Sequence, residues 1–186
     1  MKVDRFVCTG CGVCCRKIVI TNDYGTFGLY LEPQETKLFP KWHVEPFWGF
    51  GVKGRRRNRP KFVGAYQFTG EQCPYVTKQN ECRIYERRPL VCRAYPLSLF
   101  FIRDKEGKVH AEMDNRCPVI NKRFPEEQIE LPHGGLDYLG ETAISADLKS
   151  TRHFENCVLK SDGYLWLYHF KQQKWQLRAH PSKKVN

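Results

Sequence analysis

One stretch near the N-terminus, Val7-Cys-Thr-Gly-Cys-Gly-Val-Cys-Cys-Arg16, holds four cysteines within eight residues. Cys8, Cys11 and Cys14 are separated by two residues each, a spacing that lets a tight loop present three thiolates to one inorganic centre. The intervening glycines allow the backbone to curl. Because adjacent side chains usually diverge, Cys15 is predicted to face a different centre from Cys14, or a different metal of one polynuclear centre.

A second group of cysteines lies further along the chain, and two of its members precede proline, at Cys73-Pro74 and Cys117-Pro118. Eight thiols in two groups of four can satisfy two tetrahedral sites or two cubane clusters. We predict an iron–sulfur cluster of the 4Fe-4S type, with zinc as the alternative, in one or two centres. The predicted metal ligands are Cys8, Cys11, Cys14, Cys15, Cys73, Cys82, Cys92 and Cys117.

The ninth cysteine, Cys157, is distant from the others and lies in an apolar segment, so we predict a buried thiol of the core. An odd number of cysteines cannot all pair as disulfides within one chain. The first residues are too polar for a secretory signal, and no segment reaches the roughly 18 apolar residues of a membrane span. We therefore expect a cytoplasmic protein, in which thiols stay reduced.

A chain of 186 residues with 41% hydrophobic residues suits one folded domain. We predict an irregular, metal-stabilised single domain of the α+β class over residues 1–186, with short antiparallel strands and a few helices. Its cysteine-cluster module covers residues 5–120, and residues 121–186 form a C-terminal helix and strand extension packed on that module.

Local patterns predict the individual elements. Helices are expected at 32–39, where a proline and acidic residues mark the first turn, and at 136–154, where apolar residues recur at helical spacing. Between Cys73 and Tyr95 we predict a turn followed by a short helix that is broken near Pro89. The remaining predicted elements are strands, at 16–21, on both sides of a basic loop within 41–70, at 96–104, at 109–113, and as a strand–turn–strand over 157–167.

The cysteine pattern resembles a known family. The run at 8–15 is followed by Cys73-Pro-Tyr and by Glu81-Cys-Arg-Ile-Tyr-Glu-Arg-Arg-Pro-Leu-Val-Cys-Arg-Ala-Tyr-Pro96. Together these segments are similar to the YkgJ-type cysteine-cluster family, whose CxxCxxCC run forms part of a zinc- or iron-chelating domain. The resemblance covers roughly residues 5 to 120 and implies a metal-binding module. A relative in this region, the flagellin lysine N-methylase, is linked to an iron–sulfur cluster, which makes a protein-lysine methyltransferase a further alternative.

Arginines accompany the later cysteines. Several thiolates around a metal accumulate negative charge, which Arg88 and Arg93 could neutralise from outside the ligand set. No paired acid–base groups, nucleophile motif or phosphate loop is present, so the sequence contains no positive sign of an active site.

A net charge of +11 favours an anionic partner. Six of nine residues are basic in the segment Lys53-Gly-Arg-Arg-Arg-Asn-Arg-Pro-Lys61, and aromatic residues flank it. Arginines suit phosphate contacts and rings can stack on unpaired bases, so RNA or the ribosome is the predicted partner, and a membrane is not expected. The predicted contacts are Lys53, Arg55, Arg56, Arg57, Arg59 and Lys61, with the basic C-terminal stretch as a second arm.

Overall fold

The computed structural model describes residues 6–22, 25–51, 59–97, 102–103, 109–114, 116–123, 128–129, 141–161 and 164–179. The chain folds as two compact units. The cysteine unit consists of residues 1–17 and 73–151, and the sheet unit consists of residues 18–72 and 152–186. Each unit is therefore built from segments that are distant in sequence.

Helices are few and mostly short in the part of the chain that the structure describes. Its α-helices are α1 (Val13–Arg16), α2 (Leu90–Ala94), α3 (Pro118–Arg123) and α4 (Glu141–Leu159). The 3₁₀ helices among these residues cover Pro33–Leu38, Lys41–His43 and Tyr85–Arg87.

The strands are also short and pair antiparallel. They are β1 (Ile20–Asn22), β2 (Gly25–Phe27), β3 (Leu29–Leu31), β4 (Val44–Phe50), β5 (Phe62–Phe68), β6 (Ile102–Arg103), β7 (Val109–Glu112), β8 (Gln128–Ile129), β9 (Leu165–His169) and β10 (Lys174–Ala179). The prediction of an α+β fold with short antiparallel strands and a few helices is confirmed.

The cysteine unit has a compact apolar core that α2, α3 and the first part of α4 share. The buried members of this core are Leu90, Ala94, Leu97, Met113, Cys117, Ile120 and Ala146. The three-stranded arrangement β6-β7-β8 belongs to the same unit. Removing these side chains from water stabilises the unit, and it fixes α2, which contains Cys92, relative to α3.

The sheet unit is organised around a five-stranded antiparallel sheet in the order β10-β9-β4-β5-β3. Strands β4 and β5 are neighbours in this sheet, and their aromatic side chains pack together. Phe50 of β4 lies 5.6 Å from Phe62 of β5 and 5.5 Å from Phe154 of α4, measured between ring centroids. This aromatic packing holds the end of α4 on the sheet.

Gly64 of β5 lies in close contact with α4. A Cβ atom at this position would meet the Phe50 ring at 2.5 Å and the Cys157 sulfur at 2.9 Å. The His153 ring nitrogen lies 2.7 Å from the Gly64 carbonyl oxygen. Cys157 is therefore a buried thiol of this core, as predicted.

One buried amide joins three strands and the turn before a fourth. Gln67 of β5 is completely buried, and its Oε1 accepts a hydrogen bond of 2.9 Å from the Gly28 N–H. Its Nε2 donates to the carbonyl oxygens of Pro46, at 2.8 Å, and Tyr168, at 3.3 Å. One side chain therefore pairs with one backbone donor and two backbone acceptors of neighbouring segments.

Several predicted elements agree with the structure. Strands β4 and β5 lie on either side of the basic loop, and a helix with a capping box formed by Glu32 and Glu35 occupies the predicted position, although it is a 3₁₀ helix. Helix α2 starts directly after Pro89. The prediction that all 186 residues form one domain, with the module and extension as given above, stays a prediction.

Other predicted elements are displaced. The strand–turn–strand predicted over 157–167 is wrong in its first strand, because α4 continues to Leu159. Its second strand coincides with the start of β9, which forms a hairpin with β10. Phe154 and Cys157 extend the apolar face of the helix, and this burial decides the local structure. The strand predicted at 16–21 begins only at Ile20, after α1 has ended at Arg16. No helix in the described ranges is long and apolar enough to cross a membrane.

We predict that Gln67→Leu destabilises the sheet unit by about 2–4 kcal/mol, because it leaves a buried N–H and two carbonyl oxygens without their partner. All four tryptophans belong to this unit, so tryptophan fluorescence during denaturant unfolding measures its stability. The exposed Gln172→Leu substitution is the matched control and should change the free energy of unfolding by less than about 0.5 kcal/mol. Equal effects of the two substitutions would contradict the role assigned to Gln67.

Candidate metal centre

The N-terminal cysteine run is a curled loop that ends in one turn of helix. Gly10 and Gly12 adopt φ values of +65° and +73°, in the left-handed region that glycine tolerates best. The Gly12 carbonyl oxygen accepts hydrogen bonds from the N–H groups of Cys15, at 3.0 Å, and Arg16, at 2.9 Å. This turn fixes the backbone of Cys14 and Cys15, whereas Cys8 precedes it.

The second cysteine segment starts with a hairpin. Val76 and Cys82 form an antiparallel bridge, and the Thr77 N–H donates to the Glu81 carbonyl oxygen at 2.9 Å. Asn80 occupies the turn with φ +67°, a conformation that asparagine adopts more readily than most residues. Cys73 and Cys82 thus belong to the same small hairpin, and Cys92 follows on α2.

Hydrogen bonds hold the N-terminal run against this hairpin. The Cys73 N–H donates to the Cys15 carbonyl oxygen at 2.8 Å. Arg16 donates from Nε to Asn80 Oδ1 at 2.8 Å and from Nη2 to the Thr77 carbonyl oxygen at 3.1 Å. A Cβ at Gly12 would meet Asn80 Oδ1 at 2.6 Å, so the two segments are in close contact.

A second arginine, Arg116, bonds to the end of the N-terminal run. Arg116 Nε donates to both carboxylate oxygens of Asp114, at 2.9 and 3.0 Å, and its Nη1 donates to the Lys17 carbonyl oxygen at 2.9 Å. The negative charge of Asp114 contributes to raising the pKa of Cys14. The end of the N-terminal run is therefore connected both to the hairpin and to the segment before α3.

Four thiols from these three segments influence one another, and we call them the thiol cluster: Cys14, Cys73, Cys82 and Cys92. Burial raises the pKa of Cys92, and the neighbouring thiols of Cys73 and Cys14 raise it further. Burial also raises the pKa of Cys73, and hydrogen bonds from the backbone N–H of Tyr75 and Val76 oppose this change. Such N–H donors favour a thiolate, the form that binds metal.

Cys14 and Cys15 do not diverge as expected. Their sulfur atoms lie 3.8 Å apart, and the hydrogen bond between them is the main reason that the pKa of Cys14 is raised. Sulfur ligands bound at about 2.3 Å to one tetrahedral ion are separated by about 3.8 Å. The expectation that these adjacent side chains point apart is therefore wrong, and their spacing fits two ligands of a single metal ion.

The other predicted ligands have different surroundings. Cys8 and Cys11 are exposed, and Cys117 is buried in the apolar core of the cysteine unit. In the described part of the chain, no group of three or more cysteine, histidine or acidic side chains is arranged to hold one metal ion. The full set of eight cysteine ligands stays a prediction.

The predicted accompanying arginines lie near the cysteines. Arg88 stacks on Tyr85, with its guanidinium carbon 3.7 Å from the ring centroid, and its positive charge acts to lower the pKa of Cys92. Arg93 follows Cys92 directly, and its Nε is buried with no hydrogen-bond partner among the described residues. Both positions are compatible with the predicted role of balancing thiolate charge, which stays a prediction.

Two of the predicted nucleic-acid contacts, Arg59 and Lys61, are described and exposed. The other four, Lys53, Arg55, Arg56 and Arg57, lie outside the described residues.

The sequence interpretation missed residues that position the site. These residues follow no spacing that marks a metal site, and two that bond to each other are 64 positions apart, namely Arg16 and Asn80. The missed residues are Arg16, Asn80, Asp114 and Arg116. One signal was available for Asn80, because Gln-Asn in a polar segment between two cysteines is typical of a turn. Nothing in the sequence indicates which arginine that turn would bind.

Comparison with known proteins agrees with this geometry. Residues 7–118 match the family model CxxCxxCC, described as "Putative zinc- or iron-chelating domain". The match covers more than half of the chain, and the chain belongs to this family. The resemblance suggested by the cysteine pattern is thereby confirmed. No curated protein and no solved structure matches the chain.

We predict that Asn80→Gly weakens metal retention about tenfold, because it removes the acceptor of a charged hydrogen bond and keeps a residue that tolerates positive φ. Competition with a chromophoric chelator, on protein purified with its metal, measures the change. Gln79→Gly, at the preceding exposed position of the same turn, is the matched control and should retain metal like the wild type.

We predict that the metal-free protein loses stability as the pH rises above about 8.5, the ordinary pKa of a cysteine. The unfolded thiols ionise there while Cys14, Cys73 and Cys92, whose pKa values are raised in the folded state, keep their protons. Cys92 alone lowers the free energy of unfolding by at most about 1.4 kcal/mol for each pH unit of this rise.

Denaturant unfolding followed by circular dichroism between pH 7 and pH 9.5 measures this dependence. Cys92→Ala should flatten the curve, whereas Val91→Ala, one residue earlier on α2, should shift it equally at every pH. A curve that Cys92→Ala leaves unchanged in slope would contradict the assignment.

Proposed function

We propose that the chain is a metal-binding cysteine-cluster protein whose thiol cluster binds an iron–sulfur cluster of the 4Fe-4S type. Such a cluster takes one cysteine per iron, and the thiol cluster offers four. The observation that supports this most directly is the pair of contacts that hold the N-terminal run against the hairpin, namely Cys73 N–H to Cys15 and Arg16 to Asn80. These contacts hold the segment that contains Cys14 against the hairpin of Cys73 and Cys82, about 60 to 70 positions away in sequence.

The surroundings of the thiol cluster suit a centre with excess negative charge. The charge of Arg88 already favours the Cys92 thiolate, and the buried Nε of Arg93 lacks an acceptor among the described residues. A thiolate or an inorganic sulfide is an acceptor of the kind that such a donor requires. The bound centre would supply a covalent connection between three segments that are short and poorly able to order themselves alone.

Zinc is the alternative, and one observation favours it. The 3.8 Å separation of the Cys14 and Cys15 sulfurs equals the distance between two ligands of one tetrahedral ion. In a zinc site both cysteines would bind the same ion together with Cys73, whose N–H bonds to the Cys15 carbonyl oxygen, and with one of Cys82 and Cys92. In a 4Fe-4S site the thiol cluster is complete without Cys15. The two centres therefore differ in their requirement for Cys15.

The test is an analysis of iron, acid-labile sulfide and zinc in protein purified without oxygen, together with its visible absorption. Cys73→Ala should lose the centre, whichever metal it contains, since Cys73 belongs to the proposed ligand set in both cases. Cys15→Ala should keep iron and sulfide if the centre is 4Fe-4S, and should lose at least tenfold in affinity if it is zinc. Cys157→Ala removes a buried thiol of the sheet unit and is the matched control.

Iron and sulfide in equal amounts, with absorption near 400 nm, would support the iron–sulfur proposal. Stoichiometric zinc in colourless protein would support the alternative. Protein without either metal, or a centre that survives Cys73→Ala, would overturn both.

A further inference from the structure

Two basic segments that are distant in sequence meet on one face of the sheet unit. A Cβ atom at Gly49 of β4 would meet Pro60 at 2.4 Å and the Trp175 ring at 2.9 Å. Pro60 follows the basic loop, and Trp175 lies in the basic C-terminal stretch. Both side chains therefore lie over the same face of the sheet at one glycine, which has no side chain to separate them.

Aromatic rings form the centre of this surface. Trp175 pairs in register with Tyr168 of β9, so both rings stand on the same face, with centroids 5.1 Å apart. Each is half-buried, so part of each ring reaches solvent. Strand β10 is the last strand of the described sheet, and this places Trp175 at an edge. Rings held in this way can stack on a flat ligand.

Basic side chains border the rings. Arg59 and Lys61 flank Pro60 and are exposed, and the Lys61 N–H donates to the Phe50 carbonyl oxygen at 2.8 Å, which holds this segment beside β4. Lys171 is exposed in the turn between β9 and β10. Burial raises the pKa of the Tyr168 hydroxyl, and the carboxylate of Glu45 raises it further. The exposed positive charges beside these rings therefore come from the residues that flank Pro60 and from the β9–β10 turn.

The charge of the whole sheet unit has the same sign. Its segments contain 15 Lys and Arg against 7 Asp and Glu, which amounts to +8 of the net +11. Two of its acidic residues, Glu32 and Glu35, are buried and present little charge at the surface. A polyanion is the partner that this distribution favours.

We propose that this surface, formed by Arg59, Lys61, Tyr168 and Trp175, binds single-stranded nucleic acid. Arg59 and Lys61 would contact phosphates, and the two rings would stack on unpaired bases. A duplex fits less well because its bases already stack on one another. An acidic protein fits less well too, because it would match the positive charge but would give the Tyr168 and Trp175 rings no base to stack on.

The proposal is tested with the metal-containing full-length protein and a fluorescein-labelled 12-nucleotide RNA of mixed sequence, by fluorescence anisotropy. Parallel titrations use DNA of the same sequence, the RNA duplex and heparin. We expect single-stranded RNA or DNA to bind at least tenfold more tightly than the duplex, and to resist competition by heparin at equal charge. Tighter duplex binding, or complete displacement by heparin at equal charge, would reduce the surface to a non-specific basic patch and overturn the proposal.

Two variants separate charge from stacking. Arg59→Ser/Lys61→Ser should weaken binding about tenfold and lower the slope of log affinity against log salt by about 1.4, the value for two phosphate contacts with a single strand. Trp175→Leu should weaken binding about tenfold with an unchanged salt slope, because one stacked base is lost. Lys37→Ser/Lys41→Ser makes the same change of charge elsewhere on the sheet unit and is the control.

Equal weakening by the control pair would overturn the proposal. Should Trp175→Leu fail to fold, photochemical cross-linking of 4-thiouridine RNA to the wild-type protein replaces it. Cross-linked peptides that contain Trp175 or Tyr168 are expected, and cross-links only elsewhere would contradict the assignment. A loss of metal in Cys73→Ala without a loss of RNA affinity would show that this surface and the metal centre are independent.

Discussion

The cysteine unit depends on the attachment of a ten-residue N-terminal run to a hairpin about 60 positions away. A single backbone hydrogen bond, from Cys73 to Cys15, fixes the register of the two segments, and the Arg16 guanidinium fixes their orientation through Asn80. Hydrogen bonds to charged groups contribute about 1.5–3 kcal/mol when shielded from water and less when exposed, as here. These contacts alone are therefore modest, and a metal bound by thiols from both segments would strengthen the same connection.

In the sheet unit, one buried side chain, that of Gln67, bonds to several backbone segments. A proline inside a strand removes a ladder hydrogen bond, and β4 has one at Pro46. The buried Gln67 amide bonds to the carbonyl oxygen of this proline and to the Gly28 N–H, so it connects β4 with the segment before β3. Gly49 of the same strand lies close to both Pro60 and Trp175. The absence of a side chain at Gly49 thus decides which side chains meet on the surface of the sheet.

Sequence patterns predicted the elements well where a local signal was strong. Pro89 and the capping box of Glu32 and Glu35 act within a few residues, so the helices they mark lie where expected. The end of α4 was misjudged because Cys157-Val-Leu159 suits a strand and a buried helix equally well, and only contact with Gly64 and Phe50 decides between them. The divergence expected of Cys14 and Cys15 failed for a similar reason, since the turn at Gly12 rotates both sulfurs into contact.

The sequence by itself determined the family and the presence of a metal-binding cysteine module, because the number and spacing of thiols are properties of the chain. It also determined the excess of positive charge. Only the tertiary structure decided which thiols share surroundings, which arginine holds the N-terminal run, and where the two basic segments meet. Contacts such as Arg16–Asn80 and Pro60–Gly49–Trp175 join residues far apart in sequence, and each depends on backbone positions set by many other residues.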